Sequence, residues 1–513
     1  MKINPLLQAL SSLAVATSLL GCVADRPYRQ PVSALHVPPE PGKPSPSASL
    51  PVGNPCTEDR YTMTPKSNGQ GRPIKNSSRP CIAYVEFNDQ GKQSVPGQLN
   101  QATALIRKAI HDDPQHQPVI LTFIHGWKHN ASPGPPEDSN IQGFEHVLNY
   151  LYDTAYGGSD CTDATGPCTP IAGHLVVGIY IGWRGEIISH EWPVTRTLSL
   201  YSRGEAATRV GQGDDLEKAL RQISNTAHPS ETTNSPTQPM LVLVGHSFGA
   251  RVLENAMNKL YLPFFEEKKS NQTQVPTFFA DLIIYVNSAA SADVAVPMLD
   301  YLARERLEFR EDLPNLPPGN GLGRERPLML SITTPADAAT GVLFPIAMGG
   351  EAILKKVSGS LGGQQAISCY HPATQTISKN TSKSQFAFHA STAAHMDLIQ
   401  SHEVIDLGMP PAAGMVSNCP APGSPDSYSY GIPSRCFLIE PKKPLAGEED
   451  RCNNTPYWIL NTDGNIIPDH GTIFTNRLIR FIGEFLPTAT ATQISVPRLA
   501  TKQQTRARQL QLH

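Results

Sequence analysis

Apolar residues along this chain gather into short continuous runs. After CIAYVEF, which begins at Cys81, come PVILTFIHG (118–126), HLVVGIYIGW (174–183), PMLVLVGHS (239–247), DLIIYVNSAA (281–290), PLMLSITTP (327–335) and YWILNTDG (457–464). Runs this rich in Val, Ile and Leu leave neither face for water, which suits strands of a parallel sheet covered on both sides. Between them the apolar spacing shifts to the helical period. Val252, Leu253, Ala256, Met257 and Leu260 fall on one helical face, and Leu478, Phe481, Ile482 and Phe485, with Ile473, supply another near the C-terminus. The alternation predicts an α/β domain over residues 76–490, a mostly parallel central sheet flanked by helices. No internal repeat interrupts it.

The flanks read differently. Lys2 is followed by an apolar stretch from Leu6 to Leu20, broken by Ser and Thr and ending in LLGC at Cys22. It is shorter than the roughly 18 apolar residues of a membrane span. LLGC resembles the lipobox of bacterial lipoproteins, whose Cys is diacylated and becomes the new N-terminus. That resemblance implies a signal peptide over 1–21, lipidation at Cys22 and a cell-envelope location; Val23 in place of Asp points to the outer membrane. Residues 22–75 are rich in Pro, Ser and Gly and are expected to form an extended tether. Residues 410–456, rich in Pro, Gly, Ser and Cys, are expected to form an irregular insertion, and 491–513 a solvated basic tail.

Charge and cysteines narrow the function classes. The formal net charge is −3 with 17% charged residues, and no basic stripe is interleaved with aromatics, so no nucleic-acid partner is expected. Eight cysteines remain after Cys22: Cys56, Cys81, Cys161, Cys168, Cys369, Cys419, Cys436 and Cys452. An even number in an exported chain suggests up to four disulfides. Cys161 with Cys168 would staple one polar loop, Cys56 with Cys81 is a plausible second pair, and the other four stay unassigned. With no CxxC or HExxH in the chain, no metal site is expected.

The chemistry centres on GHSFG, Gly245 to Gly249, the one G-x-S-x-G in the chain. It follows the apolar run MLVLV and precedes the amphipathic segment beginning at Ala250. Strand, sharp turn and helix are what a nucleophile elbow requires, with Ser247 exposed on the turn. A serine hydroxyl is a weak nucleophile near neutral pH and needs a base oriented by an acid. Asp337, in the loop after PLMLSITTP, is the first candidate for the acid, and Asp293, after VNSAA, the second. His470, between the strand at 457–464 and the C-terminal helix, is the candidate base. His389, His395 and His402 have no clear strand before them, and His246 reads as a packing residue. The backbone N–H groups of Phe248 and Trp127 would form an oxyanion hole. Trp127 would either wall an acyl pocket or pack its loop, and His125 would either fix that loop or sit as a satisfied core histidine.

IHGWKHN, YIGWRG, SRGEAATRVG, VGHSFGAR, DAATGVLFP and DHGTIF together resemble the α/β-hydrolase superfamily, in a branch of microbial serine hydrolases, over roughly residues 80 to 486. The resemblance implies the α/β-hydrolase fold and the triad Ser247, Asp337 and His470. It departs from the commonest elbow at Ala250, where a second Gly is frequent. That branch defines no substrate; the residues themselves lead us to expect cleavage of small-molecule or lipid carboxylic esters through an acyl-enzyme, with no cofactor. The same residues would serve an acyltransferase. A non-catalytic envelope scaffold is the alternative from another class.

Overall fold

A computed structural model describes residues 27–29, 35–36, 66–67, 73–74, 81–112, 118–133, 138–155, 176–185, 193–228, 239–268, 280–304, 327–340, 402–406, 437–441 and 457–490. The strands are β1 (Leu35–His36), β2 (Lys66–Ser67), β3 (Pro73–Ile74), β4 (Cys81–Glu86), β5 (Val119–Ile124), β6 (Val176–Gly182), β7 (Met240–His246), β8 (Leu282–Val286), β9 (Met329–Thr333), β10 (His402–Asp406), β11 (Phe437–Pro441) and β12 (Tyr457–Thr462). The helices are α1 (Pro96–Asp112), α2 (Ser139–Ala155), α3 (Pro193–Gly211), α4 (Asp214–Ala227), α5 (Phe248–Lys268), α6 (Ala292–Arg304) and α7 (Asn476–Thr490).

Ten strands form one sheet in the order β1-β4-β6-β5-β7-β8-β9-β12-β10-β11. The seven from β4 to β12 in that order run parallel. β10 adds to them in the same direction, and β1 and β11 close the two edges antiparallel. The chain therefore belongs to the α/β class expected from its apolar runs.

Every residue of β4, β5, β6, β7, β8 and β9 is buried. Successive side chains feed two separate apolar layers, as the two-residue period of a strand requires. Cys81, Ala83 and Val85 pack beneath α1, α3, α4, α5 and α6, while Ile82 and Tyr84 join the layer under α2 and α7. The apolar faces foreseen at 252–260 and 473–485 are buried in those two layers. Thr475 caps α7: its hydroxyl accepts the Leu478 N–H at 3.0 Å and donates to the Ile466 carbonyl.

Three expectations change. The segment 22–75 is not a bare tether throughout: Arg29 is buried, β1 pairs with β4, and β2 pairs with β3. The supposedly irregular stretch 410–456 contains β11, which pairs with β10 over five residues. That strand also gives His402 a regular element, at the start of β10. Cys81 is disulfide-bonded, and its partner lies outside the described residues. So do Cys22 and the expected signal segment 1–21, Cys161, Cys168 and the tail 491–513.

Candidate active site

Adjacent strands β5 and β7 send their chains to opposite faces of the sheet, β5 towards α2 and β7 towards α5. A crevice opens where connections part in this way, and open α/β sheets bind ligands there. β7 passes straight into α5 through Ser247, which has φ 55 and lies in the left-handed region. That conformation costs a non-glycine residue about 1–3 kcal/mol and persists only when its surroundings enforce it. Here the Ser247 N–H donates to the Val286 carbonyl and the Ala289 N–H donates to the Ser247 carbonyl, both at 3.1 Å. Packing leaves little room to relax. A Cβ on Gly249 would overlap the Ile124 carbonyl oxygen, and one on Gly126 would lie 2.9 Å from Ser247 Cβ. The other positive-φ non-glycine residues among those described are Asn287, directly after β8, and Lys128, in the loop after β5.

Ser247 Oγ lies 2.6 Å from His470 Nε2, and His470 Nδ1 lies 2.8 Å from Asp337 Oδ2. The three residues leave β7, β9 and β12 at the same edge of the sheet. Asp337 is buried; its Oδ1 accepts the N–H groups of Ala339 at 2.9 Å and Thr340 at 3.0 Å, and its Oδ2 also accepts the Thr340 hydroxyl. Burial opposes ionisation, but the hydrogen bond and charge of His470, with the Thr340 donors, outweigh it and hold Asp337 below the usual carboxylate range. An ionised Asp337 places the imidazole hydrogen on Nδ1. Nε2 is then left to accept from the Ser247 hydroxyl.

The backbone of the His470 loop is pinned on both sides. His246 Nε2 donates to the His470 carbonyl at 2.8 Å, and Asn287 Nδ2 donates to the Asp469 carbonyl at 3.3 Å. Asp469 folds the loop onto itself, accepting the Gly471 and Thr472 N–H groups at 2.8 Å each. Burial first, then the charge of His470, push the His246 imidazole well below its ordinary pKa, so it stays neutral. His246 thus does more than pack. The Asp-His-Gly-Thr order was a readable sign of the Asp469 turn; nothing in the sequence marked Asn287 or Thr340.

The second candidate oxyanion loop is built around His125, which is fully buried. Its Nδ1 donates to the Gly126 carbonyl at 2.9 Å, its Nε2 accepts the Trp183 N–H at 3.0 Å, and its ring stacks between Tyr180 and Trp183. Both earlier readings of His125 hold: it is a satisfied core histidine, and it fixes the loop. Desolvation lowers its pKa to about 4. The Lys128 N–H donates to the Gly185 carbonyl at 3.0 Å, tying this loop to the one after β6. Trp127 is partly buried against the core with Lys128 Nζ 4.7 Å from its ring centre, and Phe248 opens α5.

Beyond β6 and β4, Arg203 of α3 grips both oxygens of Asp89 at 2.7 and 2.9 Å and donates to the Arg184 carbonyl. The runner-up acid Asp293 sits in the first turn of α6, while Asp337 is the carboxylate bonded to His470. His389 and His395 lie outside the described residues. Among the described residues no group of three or more His, Cys, Asp or Glu could hold a metal ion. No protein-family model, curated protein or solved structure matches the chain.

Proposed function

We propose that this chain is a serine hydrolase of the α/β-hydrolase fold that cleaves carboxylic esters through an acyl-enzyme. The observation that carries the reading is the continuous relay from Ser247 Oγ through His470 to the buried Asp337 carboxylate. It supports general-base activation of a serine that sits on a strained turn and is buried rather than exposed as the sequence suggested.

In the proposed reaction His470 Nε2 takes the Ser247 hydroxyl proton as Oγ bonds to the ester carbonyl carbon. The carbonyl oxygen becomes an oxyanion held by the N–H groups of Phe248 and Trp127, helped by the positive end of α5. Asp337 stabilises the imidazolium. As the carbon–oxygen bond to the alcohol breaks, His470 returns the proton to that oxygen. Water then attacks the acyl-serine with His470 as base, releasing the acid and restoring the hydroxyl. In the same reading the chain is anchored to the cell envelope, at the outer membrane, by lipid on Cys22. Ester substrate and membrane are its partners, and the chemistry asks for no cofactor.

A soluble fluorophosphonate probe tests the reading. Wild type is expected to be labelled at Ser247 and to hydrolyse p-nitrophenyl esters, and Ser247→Ala to do neither while unfolding at nearly the same temperature. Wild-type turnover in Ser247→Ala would overturn the mechanism.

A further inference from the structure

The N-terminal segment is fastened to the edge of the sheet at a particular height. The N–H groups of Tyr28 and Arg29 donate to the Glu86 carboxylate at 2.7 and 2.8 Å. Gln98 Nε2 bonds both the Arg29 carbonyl and Glu86. The Arg29 guanidinium lies 3.6 Å from the centre of the Tyr84 ring, and its Nε donates to the Ala131 carbonyl at 2.6 Å. Ala131 belongs to the same loop as Trp127. Glu86 is the last residue of β4 and pairs with Gly182, one step beyond the row Val85, Ile181, Ile124 and Gly245. The clip therefore lies level with His246, three strand spacings or about 14 Å from the nucleophile turn.

The direction of the chain is also set. From Glu86 it descends to β1, where Leu35 and His36 pair with Ala83 and Ile82. Tyr28 itself therefore stands at the end of the sheet that carries Ser247. Tyr28 is six positions after Cys22, a reach of at most about 22 Å. An unfastened segment from 22 to 75 would have allowed about 180 Å.

The surface of that edge has a matching character. The exposed large hydrophobic residues among those described are Tyr28 and Tyr201. Tyr28 sits at the clip. Lys128 is exposed on the loop after β5. A tyrosine and a lysine, Tyr28 and Lys128, exposed at this end of the sheet suit the boundary between headgroups and water.

We infer that the clip at Tyr28 and Arg29 presents the Ser247 edge to the membrane that holds Cys22, and that the substrate is an ester lipid of that membrane. This rests on the serine-hydrolase and lipid-anchor reading given above.

The test uses the lipidated full chain in vesicles of phosphatidylethanolamine and phosphatidylglycerol. Two probes are compared, a water-soluble fluorophosphonate and a diacyl fluorophosphonate embedded in the same vesicles. A flexible insertion of about twenty Gly and Ser residues between Ala24 and Asp25 lengthens the leash and leaves the clip residues Tyr28 and Arg29 unchanged. Effective concentration falls roughly as the −3/2 power of linker length, so the insertion is expected to slow labelling by the embedded probe by about ninefold. Labelling by the soluble probe is expected to stay unchanged. Cys22→Ser is expected to lose the advantage on the embedded probe altogether. If the insertion variant takes the embedded probe as fast as wild type, or wild type takes only the soluble one, the membrane-lipid inference falls alone. If wild type ignores both probes, the serine-hydrolase reading falls and takes this inference with it.

Discussion

Replacing Asp337 by Asn probes the relay at its most constrained point. The Oδ1 position accepts two backbone N–H groups, from Ala339 and Thr340. An amide NH2 placed there would meet two donors, so the Asn oxygen must take that position. The NH2 is then forced to the Oδ2 position, 2.8 Å from His470 Nδ1. Thr340 tolerates the exchange because its hydroxyl can turn and accept. His470 does not: Nδ1 must become the acceptor, which moves the ring hydrogen to Nε2, against Ser247 Oγ. The base then faces the nucleophile with its proton already in place. A wrong-tautomer triad loses about 10⁴ in kcat, equivalent to about 5.4 kcal/mol of transition-state stabilisation. KM should hardly change, because the carboxylate is buried away from the crevice. The assay is steady-state hydrolysis of a p-nitrophenyl ester across pH, with folding checked by circular dichroism and Asp293→Asn measured alongside. Asp293→Asn is expected to stay near wild type. An Asp337→Asn enzyme that folds and keeps kcat within tenfold of wild type would refute the tautomer reasoning.

Two further outcomes concern the scaffold. His125 keeps a folded pKa of about 4 against an ordinary 6.5 because burial disfavours its charged form; the unfolded chain therefore binds more protons between those values, and stability is full above pH 6.5 and lost towards pH 4. The loss from this group is about 3 kcal/mol, and His246 acts in the same direction; urea unfolding free energies that stay flat from pH 7 to about 4.5 would contradict this burial. Gly249→Ala would drive a methyl into the Ile124 and His125 carbonyl oxygens, and is expected to destabilise by about 1–3 kcal/mol and depress labelling of Ser247, as chemical denaturation and probe kinetics would report.

The parts of this structure visible in the sequence are those that repeat a simple period or obey turn chemistry. Continuous apolar runs announced the parallel strands because both faces are covered, and Gly-His-Ser-Phe-Gly between strand and helix announced the turn at Ser247. Asp337 and His470 were legible because each follows a strand at the edge where the turn lies. Single polar contacts over long separations left no such trace. Arg29 sits in Pro- and Ser-rich sequence that looks unable to pack, yet the Glu86 carboxylate, the Tyr84 ring, Gln98 and the Ala131 carbonyl dock it. β11 is five residues long, carries Glu440 and Pro441, and is embedded in turn-forming composition, so its strand character comes from pairing with β10. His246 and Asn287 act through backbone carbonyls, whose positions only the folded chain defines.

The placing of β12 has a bearing on timing. It is the last of the described strands in the chain, yet it is wedged between β9 and β10 in the interior of the sheet. The partners of the Ser247–His470 contact are 223 residues apart, and those of the His470–Asp337 contact 133 apart. Long separations of this kind make assembly slow and leave it to the final stages of folding. A nascent chain that has already made its serine turn has no base until residues 457–470 have been synthesised and inserted. On the proposed mechanism, reactivity at Ser247 would therefore mark the completed fold.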